Sequence, residues 1–535
     1  MTHTIEIYDA TLRDGTQDAR VSEVNTHDKL VLAKRLDEYG VDFIELGWPG
    51  SNPTDMEAFQ AIKDIELKSA KVAAFGSTCK GRDTPSDDKN LQALIETGAP
   101  VTTIFGKSHE KHVTHQLKTT LEDNLQGIQN SVLFLKSKGK QVFYDAEHFF
   151  DGFKVNSEYA LSTVVAALVG GAERIVLCDT NGGTLPHEIL DIFLQTKHLL
   201  EQNGYGDVKF GMHAHNDGGT AVANNLVIAK YLTQIQATVG GFGERVGNAN
   251  HTIIIPNLML KLGIDTNVNL DKTQVLYEQV CEQFNLEPDT NMAFAGKNAF
   301  AHKGGIHGDA ERKMPGAYCH IDPTLVGNES RLVVSDLSGG ANIVDALEKF
   351  GIYTQKSDER VRAMLEKIKK LHHDGTPVGL SVAEQYLVAA EYFGLELKCN
   401  RRPDLELTYK RVEWEQLGEH EHDTAVLQGV LNGKRVEGFR PAQKGGPIGV
   451  AYEALRDIYT SQYPEVGEIK LIDWKDRVIA LQGAKSVVRV YIDFVNHEDE
   501  WRVYGVSDNI LNAGLTAITK GFDYYVMRHK NLKEK

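Results

Sequence analysis

Short apolar runs recur along the first half of the chain, at residues 5–9, 43–48, 72–76, 102–105, 141–145, 174–178, 209–213 and 235–239. The stretches between them carry apolar residues at helical spacing. In the first, Leu30, Leu32, Ala33 and Leu36 precede Tyr39-Gly40, where the glycine supplies a helix stop. Eight alternations of strand and helix within residues 1–270 imply right-handed parallel crossovers and match the size of a (β/α)8 TIM barrel, an α/β fold. The alternative is an open doubly wound sheet, whose mark is a glycine-rich turn after the first strand. Arg13-Asp14-Gly15 stands there instead.

Beyond Gly263 the strand pattern stops. Residues 271–397 read mainly as helix, with one helix opening at Asp271-Lys272-Thr273 and another over 357–371, and a glycine-rich loop at 298–309 lies between them with His302 and His307. From about Tyr409 the pattern is that of antiparallel strands: 412–414, 424–431 and 436–440 lead to a helix at 450–460. Segments 467–473, 477–482, 487–495 and 501–506 lead to a second helix at 509–521. Three parts are expected: a barrel over 1–270, helical linker subdomains over 271–405, and a C-terminal α+β regulatory or dimerisation domain of two βββα units over 406–535.

A chain of 535 residues is too long for one ordinary core, which agrees with that division. The formal net charge of −16 argues against nucleic acid or an anionic membrane as the main partner. The N-terminus runs straight into a strand pattern without a basic-then-apolar segment, so a cytoplasmic location is expected. Five scattered cysteines, none in a Cys-x-x-Cys pair, suggest neither a disulfide framework nor a thiolate cluster.

The chemistry gathers where the expected strands end. In His213-Ala214-His215-Asn216-Asp217 the two histidines are two apart, so in an extended strand both face one side. In a closed barrel the seventh strand is separated from the first only by the eighth, which brings Asp14 to them. Two imidazoles and a carboxylate with open positions suit zinc, manganese, iron or a similar divalent ion. The plainer reading of any His-x-His pair is two surface or core histidines. Arg13, Glu45, Lys107, Ser108, Glu147, His148, Asp179, Thr180, Glu244, Arg245 and Asn248 stand at the same set of strand ends, as expected for the catalytic rim of such a barrel.

Four stretches carry a resemblance: Asp9 through Gln17, Phe210 through Asn224 with its His-x-His-Asn-Asp-x-Gly core, Gly243-Glu244-Arg245-Val246-Gly247-Asn248, and Gly305-Ile306-His307. They resemble the 2-isopropylmalate, homocitrate and citramalate synthases over essentially the whole chain. Leu12 through Gln17 and Glu45 through Pro53 are most similar to the long, isopropylmalate-synthase-like citramalate synthases. Thr16 departs from the glutamate that isopropylmalate and homocitrate synthases commonly carry.

The resemblance implies an acyltransferase of isoleucine biosynthesis that condenses acetyl-CoA with pyruvate and hydrolyses the thioester. It further implies a divalent ion (Mn, Mg or Zn) held by Asp14, His213, His215 and Asn248. Arg13 would lie beside the 2-oxo oxygen, Thr180 near the carboxylate, and Glu147 would orient Arg13 or the bound substrate. His307 and Tyr318 would reach the active site of the partner subunit in a homodimer, with His307 the candidate base and Glu147 the next. Isoleucine is the expected effector at the C-terminal domain. Tyr144 is either a ring that limits the acceptor pocket to a methyl group or a buried core residue. Two other acyl-CoA activities remain open: isopropylmalate synthesis with 3-methyl-2-oxobutanoate, and cleavage by a metal-dependent lyase, although no catalytic cysteine motif for the latter is present. A non-enzymatic effector-binding protein is disfavoured by the intact ligand set.

Overall fold

The eight apolar runs form β1 (Glu6–Asp9), β2 (Phe43–Gly47), β3 (Lys71–Ser77), β4 (Val101–Lys107), β5 (Gln141–Glu147), β6 (Arg174–Asp179), β7 (Phe210–Ala214) and β8 (Gln234–Ala237). In this computed structural model, which describes residues 3–81, 83–334, 338–397, 401–417, 420–443, 446–480 and 486–533, they close in sequence order into a parallel barrel. The seam is sealed by β8 on β1, with Tyr8 opposite Gln236 and Asp9 opposite Ala237. Packed side chains fill one level of the interior: Tyr8, Phe43, Ala73, Val101 and Phe143 form one buried cluster. The Phe43 and Phe143 rings meet edge to face at 5.1 Å, so the barrel is plugged below its catalytic rim.

The connecting helices start and stop for local reasons. Asn25 accepts a hydrogen bond from the Asp28 amide to open the helix Thr26–Tyr39, and Gly40, at φ +102°, ends it in the left-handed region. A side chain at Gly40 would also meet the Asn267 carbonyl oxygen at 2.4 Å. Near the end of this helix, Asp37 accepts the backbone N–H groups of Lys68, Ser69 and Ala70 and so fixes the entry to β3.

The chain divides into two units, residues 1–300 with 321–329, and residues 301–320 with 330–535. In the second, β9 (Ala301–His302) pairs in parallel with β10 (Arg331–Leu332). The helices Gly305–Lys313, Gly340–Lys349, Glu359–His373 and Val382–Leu397 belong to the same unit. Then β11 (Leu405–Leu417), β12 (His420–Leu431) and β13 (Lys434–Gln443) form an antiparallel sheet followed by the helix Gly446–Thr460. The arrangement recurs as β14 (Lys470–Ala480), β15 (Val487–Val495), β16 (Glu500–Ser507) and the helix Ile510–Lys533. Leu427, Leu455, Phe494, Val503 and Phe522 belong to one core shared by both repeats.

One expectation is corrected here. Where two strands were read at 467–473 and 477–482, Lys470–Ala480 is one strand, because pairing with β15 continues in regular register through the polar stretch Asp473-Trp474-Lys475-Asp476, with register shifts on either side of it. Residues 481 and 482, and Cys399, lie outside the described residues. The other four cysteines are free thiols. Among the described residues no helix is long and apolar enough to cross a membrane.

Candidate active site at the barrel mouth

Asp14 follows β1, His213 lies on β7 and His215 just beyond its end. The topology brings all three to one point: Nε2 of His213 and Nε2 of His215 lie 3.6 and 3.9 Å from Asp14 Oδ2 and 3.4 Å from each other. All three residues are buried. Asn248 joins them through a bridge between its backbone and that of His215. Its amide nitrogen donates to the Phe242 carbonyl, while its Oδ1 has no hydrogen-bond partner. Asp14 Oδ1 and Nδ1 of both histidines are likewise buried without a partner. Gly243 leaves the room, since a Cβ there would stand 2.1 Å from the Asn248 amide and 3.0 Å from Asp14 Oδ1.

A cluster of converging, unsatisfied donors in a buried pocket is what a divalent ion requires, and the residues fit one. Their protonation fits as well. Burial holds both imidazoles below the ordinary histidine value. Burial also opposes ionisation of Asp14, but the charge of the adjacent Arg13 is the largest influence against it, and the carboxyl is held well below the usual range. Two neutral imidazoles and a carboxylate are the ligand-competent forms.

Arg13 stands beside this cluster. Its Nη1 donates to Asp14 Oδ2 at 2.9 Å and its Nε donates to Glu45 Oε1. The guanidinium lies 3.9 Å from the centre of the Phe75 ring. Glu45, wholly buried, also accepts from the Tyr8 hydroxyl at 2.5 Å, and that hydroxyl lies 2.8 Å from Thr103 Oγ1. A chain of hydrogen bonds thus runs from the barrel interior to the guanidinium. The sequence marked Glu45 as a strand-end residue without giving it a role. Glu147, expected to orient Arg13 or the bound substrate, pairs with Lys107 Nζ at 2.5 Å.

The cluster opens into a cavity of about 370 Å³ lined by Arg13, Asp14, His213 and His215, and also by Glu147, Thr180, Asp145 and Cys178. Thr180 Oγ1 accepts from the backbone N–H of His148 at 2.8 Å, which fixes its hydroxyl at the rim. Trp48, Phe75 and Phe105 form an aromatic wall, with Phe75 and Phe105 stacked at 5.4 Å and Trp48 edge-on to both at 5.6 Å. The sequence reading missed this wall and Asp145. For Phe75, Phe105 and Asp145 the signal was the period-two alternation of β3, β4 and β5, from which the inward positions can be counted; Trp48 directly follows the end of β2.

The same alternation corrects the pocket role considered for Tyr144. Asp145 and Glu147 line the cavity, whereas Tyr144, one residue off that period, faces away from it and is fully buried. Its hydroxyl would lie 2.8 Å from a Cβ at Gly106, so the ring packs against β4 on the outer side of the barrel wall.

His307 and Tyr318 belong to the second unit. Their rings stack at 4.0 Å and 16°, and both side chains are exposed. Glu311 supports this pair by accepting the backbone N–H groups of Gly316 and Tyr318. His302, Glu311 and Cys319 make a second group of converging donors. Here, however, Glu311 is occupied by backbone amides and His302 Nε2 lies 3.4 Å from Cys319 Sγ, so the group is satisfied internally.

Residues 4–280 match the HMGL-like family. Residues 294–376 match the homocitrate synthase post-HMGL domain-like family, and 386–526 the LeuA allosteric (dimerisation) domain. The chain is 42% identical to the (R)-citramalate synthase of Sulfolobus acidocaldarius over 99% of its own length and 98% of that protein. It is 41% identical to that of Aquifex aeolicus, over 99% of both chains. A 2-isopropylmalate synthase from Staphylococcus carnosus is 33% identical over 98% of this chain and 90% of that protein.

Proposed function

The chain belongs to the (R)-citramalate synthase family, and from that premise we propose that it joins the methyl carbon of acetyl-CoA to the carbonyl carbon of pyruvate and hydrolyses the thioester, releasing (R)-citramalate and CoA. The observation that carries this reading is the convergence of Asp14, His213 and His215 beside Arg13 at one barrel mouth.

Asp14, His213, His215 and Asn248 would hold a divalent ion, of which Mn, Mg and Zn are the candidates. Such an ion supplies a Lewis acid that polarises an oxo-acid carbonyl. Arg13, fixed by Glu45, donates hydrogen bonds to the oxo oxygen as negative charge grows on it. Thr180 donates to the carboxylate of the acceptor. His307 takes the proton from the acetyl methyl group, and the new carbon–carbon bond forms between that methyl carbon and the ketone carbon. Tyr318, stacked on His307, holds the imidazole plane. Glu147, paired with Lys107 at the rim, positions the ammonium against the substrate's negative charge.

A homodimer in which residues of the 271–405 linker, His307 and Tyr318 among them, complete the partner's active site follows from the same reading. The 406–535 domain would take isoleucine as its effector. The match to the LeuA allosteric (dimerisation) domain supports a dimer and an allosteric role for this domain.

The test is CoA release by the full chain with pyruvate, 2-oxobutanoate, 3-methyl-2-oxobutanoate and 2-oxoglutarate side by side, repeated with isoleucine and with leucine. Pyruvate is expected to be preferred and isoleucine to inhibit. A preference for 3-methyl-2-oxobutanoate would replace this reading with isopropylmalate synthesis.

A further inference from the structure

Lys29 is a buried ammonium to which the mechanism above assigns nothing. It lies in the first turn of the helix Thr26–Tyr39, only 3% exposed, and its three protons are all engaged. Nζ donates to the Leu12 carbonyl at 2.8 Å, to the Leu46 carbonyl at 3.1 Å and to Asp55 Oδ1 at 2.5 Å. Asp55, also buried, accepts the Trp48 backbone N–H on its other oxygen at 2.7 Å. Gly47 makes room for it, since a Cβ there would stand 2.4 Å from the carboxyl carbon.

The two carbonyls flank the pair that presents the guanidinium: Leu12 precedes Arg13, and Leu46 follows Glu45. The β1–β2 register consists of Tyr8 with Phe43 and Asp9 with Ile44, so Arg13 and Glu45 both stand past its last pair. On the other side of β2, Glu45 pairs with Ala73 and Gly47 with the next residue, Ala74, which leaves Leu46 as an extra residue bulged out of the ladder. A bulge bends its strand and re-aims the neighbouring side chain, and it frees a carbonyl that must be satisfied. Lys29 satisfies that carbonyl and ties it to the turn that carries Arg13.

We propose that Lys29 is a positioning residue for the condensation: by holding the Leu12 and Leu46 carbonyls together it keeps the bulge in the form that aims Glu45 at Arg13. This rests on the condensation reaction given above and deepens it. Stability alone is a poor reason for the Lys29–Asp55 pair, because the cost of desolvating an ammonium and a carboxylate offsets most of their attraction, and apolar side chains of the same size commonly do as well. An apolar pair, however, cannot bind two carbonyls. The ammonium does, and it fixes both strand ends against one helix, with Asp55 holding the ammonium in place.

The experiment compares kcat, KM, bound metal and melting temperature of the full chain in the parent, Lys29→Met, Lys29→Met/Asp55→Asn and Lys29→Met/Glu45→Gln, with the oxo acid that the parent turns over best. Methionine keeps the length of the stem and removes the donors. In Lys29→Met kcat is expected to fall about 100-fold, with KM for the oxo acid and metal per chain close to the parent's. Adding Asp55→Asn removes the unpaired charge while keeping an acceptor for Trp48, so the melting temperature should recover and kcat should not. Since Lys29 acts through the Arg13–Glu45 pair, adding Glu45→Gln should lower kcat little further, whereas independent losses would multiply to about 10,000-fold. Parental kcat in Lys29→Met, recovery of kcat together with melting temperature, or multiplying losses would each overturn the proposal. Should Lys29→Met fail to fold, the Asp55→Asn double variant decides: a loss of about 100-fold upholds it and a parental kcat overturns it. A parent that prefers another oxo acid replaces the acceptor assignment and leaves the Lys29 comparison intact. A parent that releases CoA with none of the four acids overturns the condensation and the role of Lys29 together.

Discussion

Glu45 accepts a hydrogen bond from Nε of Arg13 while Nη1 of the same guanidinium donates to Asp14, so a buried glutamate and the aspartate of the barrel-mouth cluster share one arginine. Glu45 is not part of the cavity lining, so on the reading proposed above it acts by aiming Arg13. Glu45→Gln is expected to lower kcat about 100-fold, as misplacement of a reacting group does. KM for pyruvate should change much less, and bound metal per chain should stay at the parent's level. A fall in kcat accompanied by equal loss of metal would assign Glu45 to the ion site instead.

Arg13→Ala is expected to cost about 100-fold or more in turnover, the usual effect of losing a donor to a developing oxyanion. Arg13→Lys should not restore it. A lysine cannot donate to Glu45 and Asp14 at once in the fixed fork that the guanidinium provides. Steady-state rates of the two variants, with circular dichroism to confirm folding, decide the point.

Removing the ion with a chelator should abolish CoA release, and adding back a divalent cation should restore it. His213→Ala and Asp14→Asn should bind metal only at trace level when measured by elemental analysis. The parent should melt at a higher temperature with the cation than without, because the ion binds the folded state alone, whereas the variants should show no such rise.

Asp37 carries a pH dependence whose direction is fixed by its surroundings. Burial alone would raise its pKa, but the three backbone N–H groups of residues 68–70 outweigh it and hold the carboxyl below the ordinary value. A depressed carboxylate contributes stability that is complete above the unfolded-state pKa and is lost as pH falls through the folded one. Asp37→Ala should therefore destabilise the barrel by about 1–3 kcal/mol near neutral pH. The gap between parent and variant should narrow as the pH is lowered into the acid range, read from denaturant midpoints at each pH. A gap that widened in acid would show that the carboxylate is not the source of the effect.

The barrel was legible because eight short apolar runs alternate with amphipathic helices, a pattern with few folded solutions. Asp14 and the two histidines were legible through topology, since closure alone makes the first and seventh strands near neighbours. Less could be read where a position depends on the parity of a strand. Tyr144 and Asp145 are adjacent in sequence, yet one faces the helical layer and the other the cavity. A one-residue error in phase exchanges their roles. Which carboxylate holds Arg13 was likewise hidden: Glu45 and Glu147 both end strands, and only the geometry across the barrel separates them. In β14 the polar sequence suggested a break, but backbone pairing with β15 continues there without an apolar alternation to mark it.

Asp14 leaves the ribosome long before His213, and Asn248 emerges later still. Until β8 docks on β1, no segment of the growing polypeptide brings these groups together. If this group holds the proposed cation, only a finished ring can capture it, and a chain truncated before its eighth strand should emerge from translation unable to retain it.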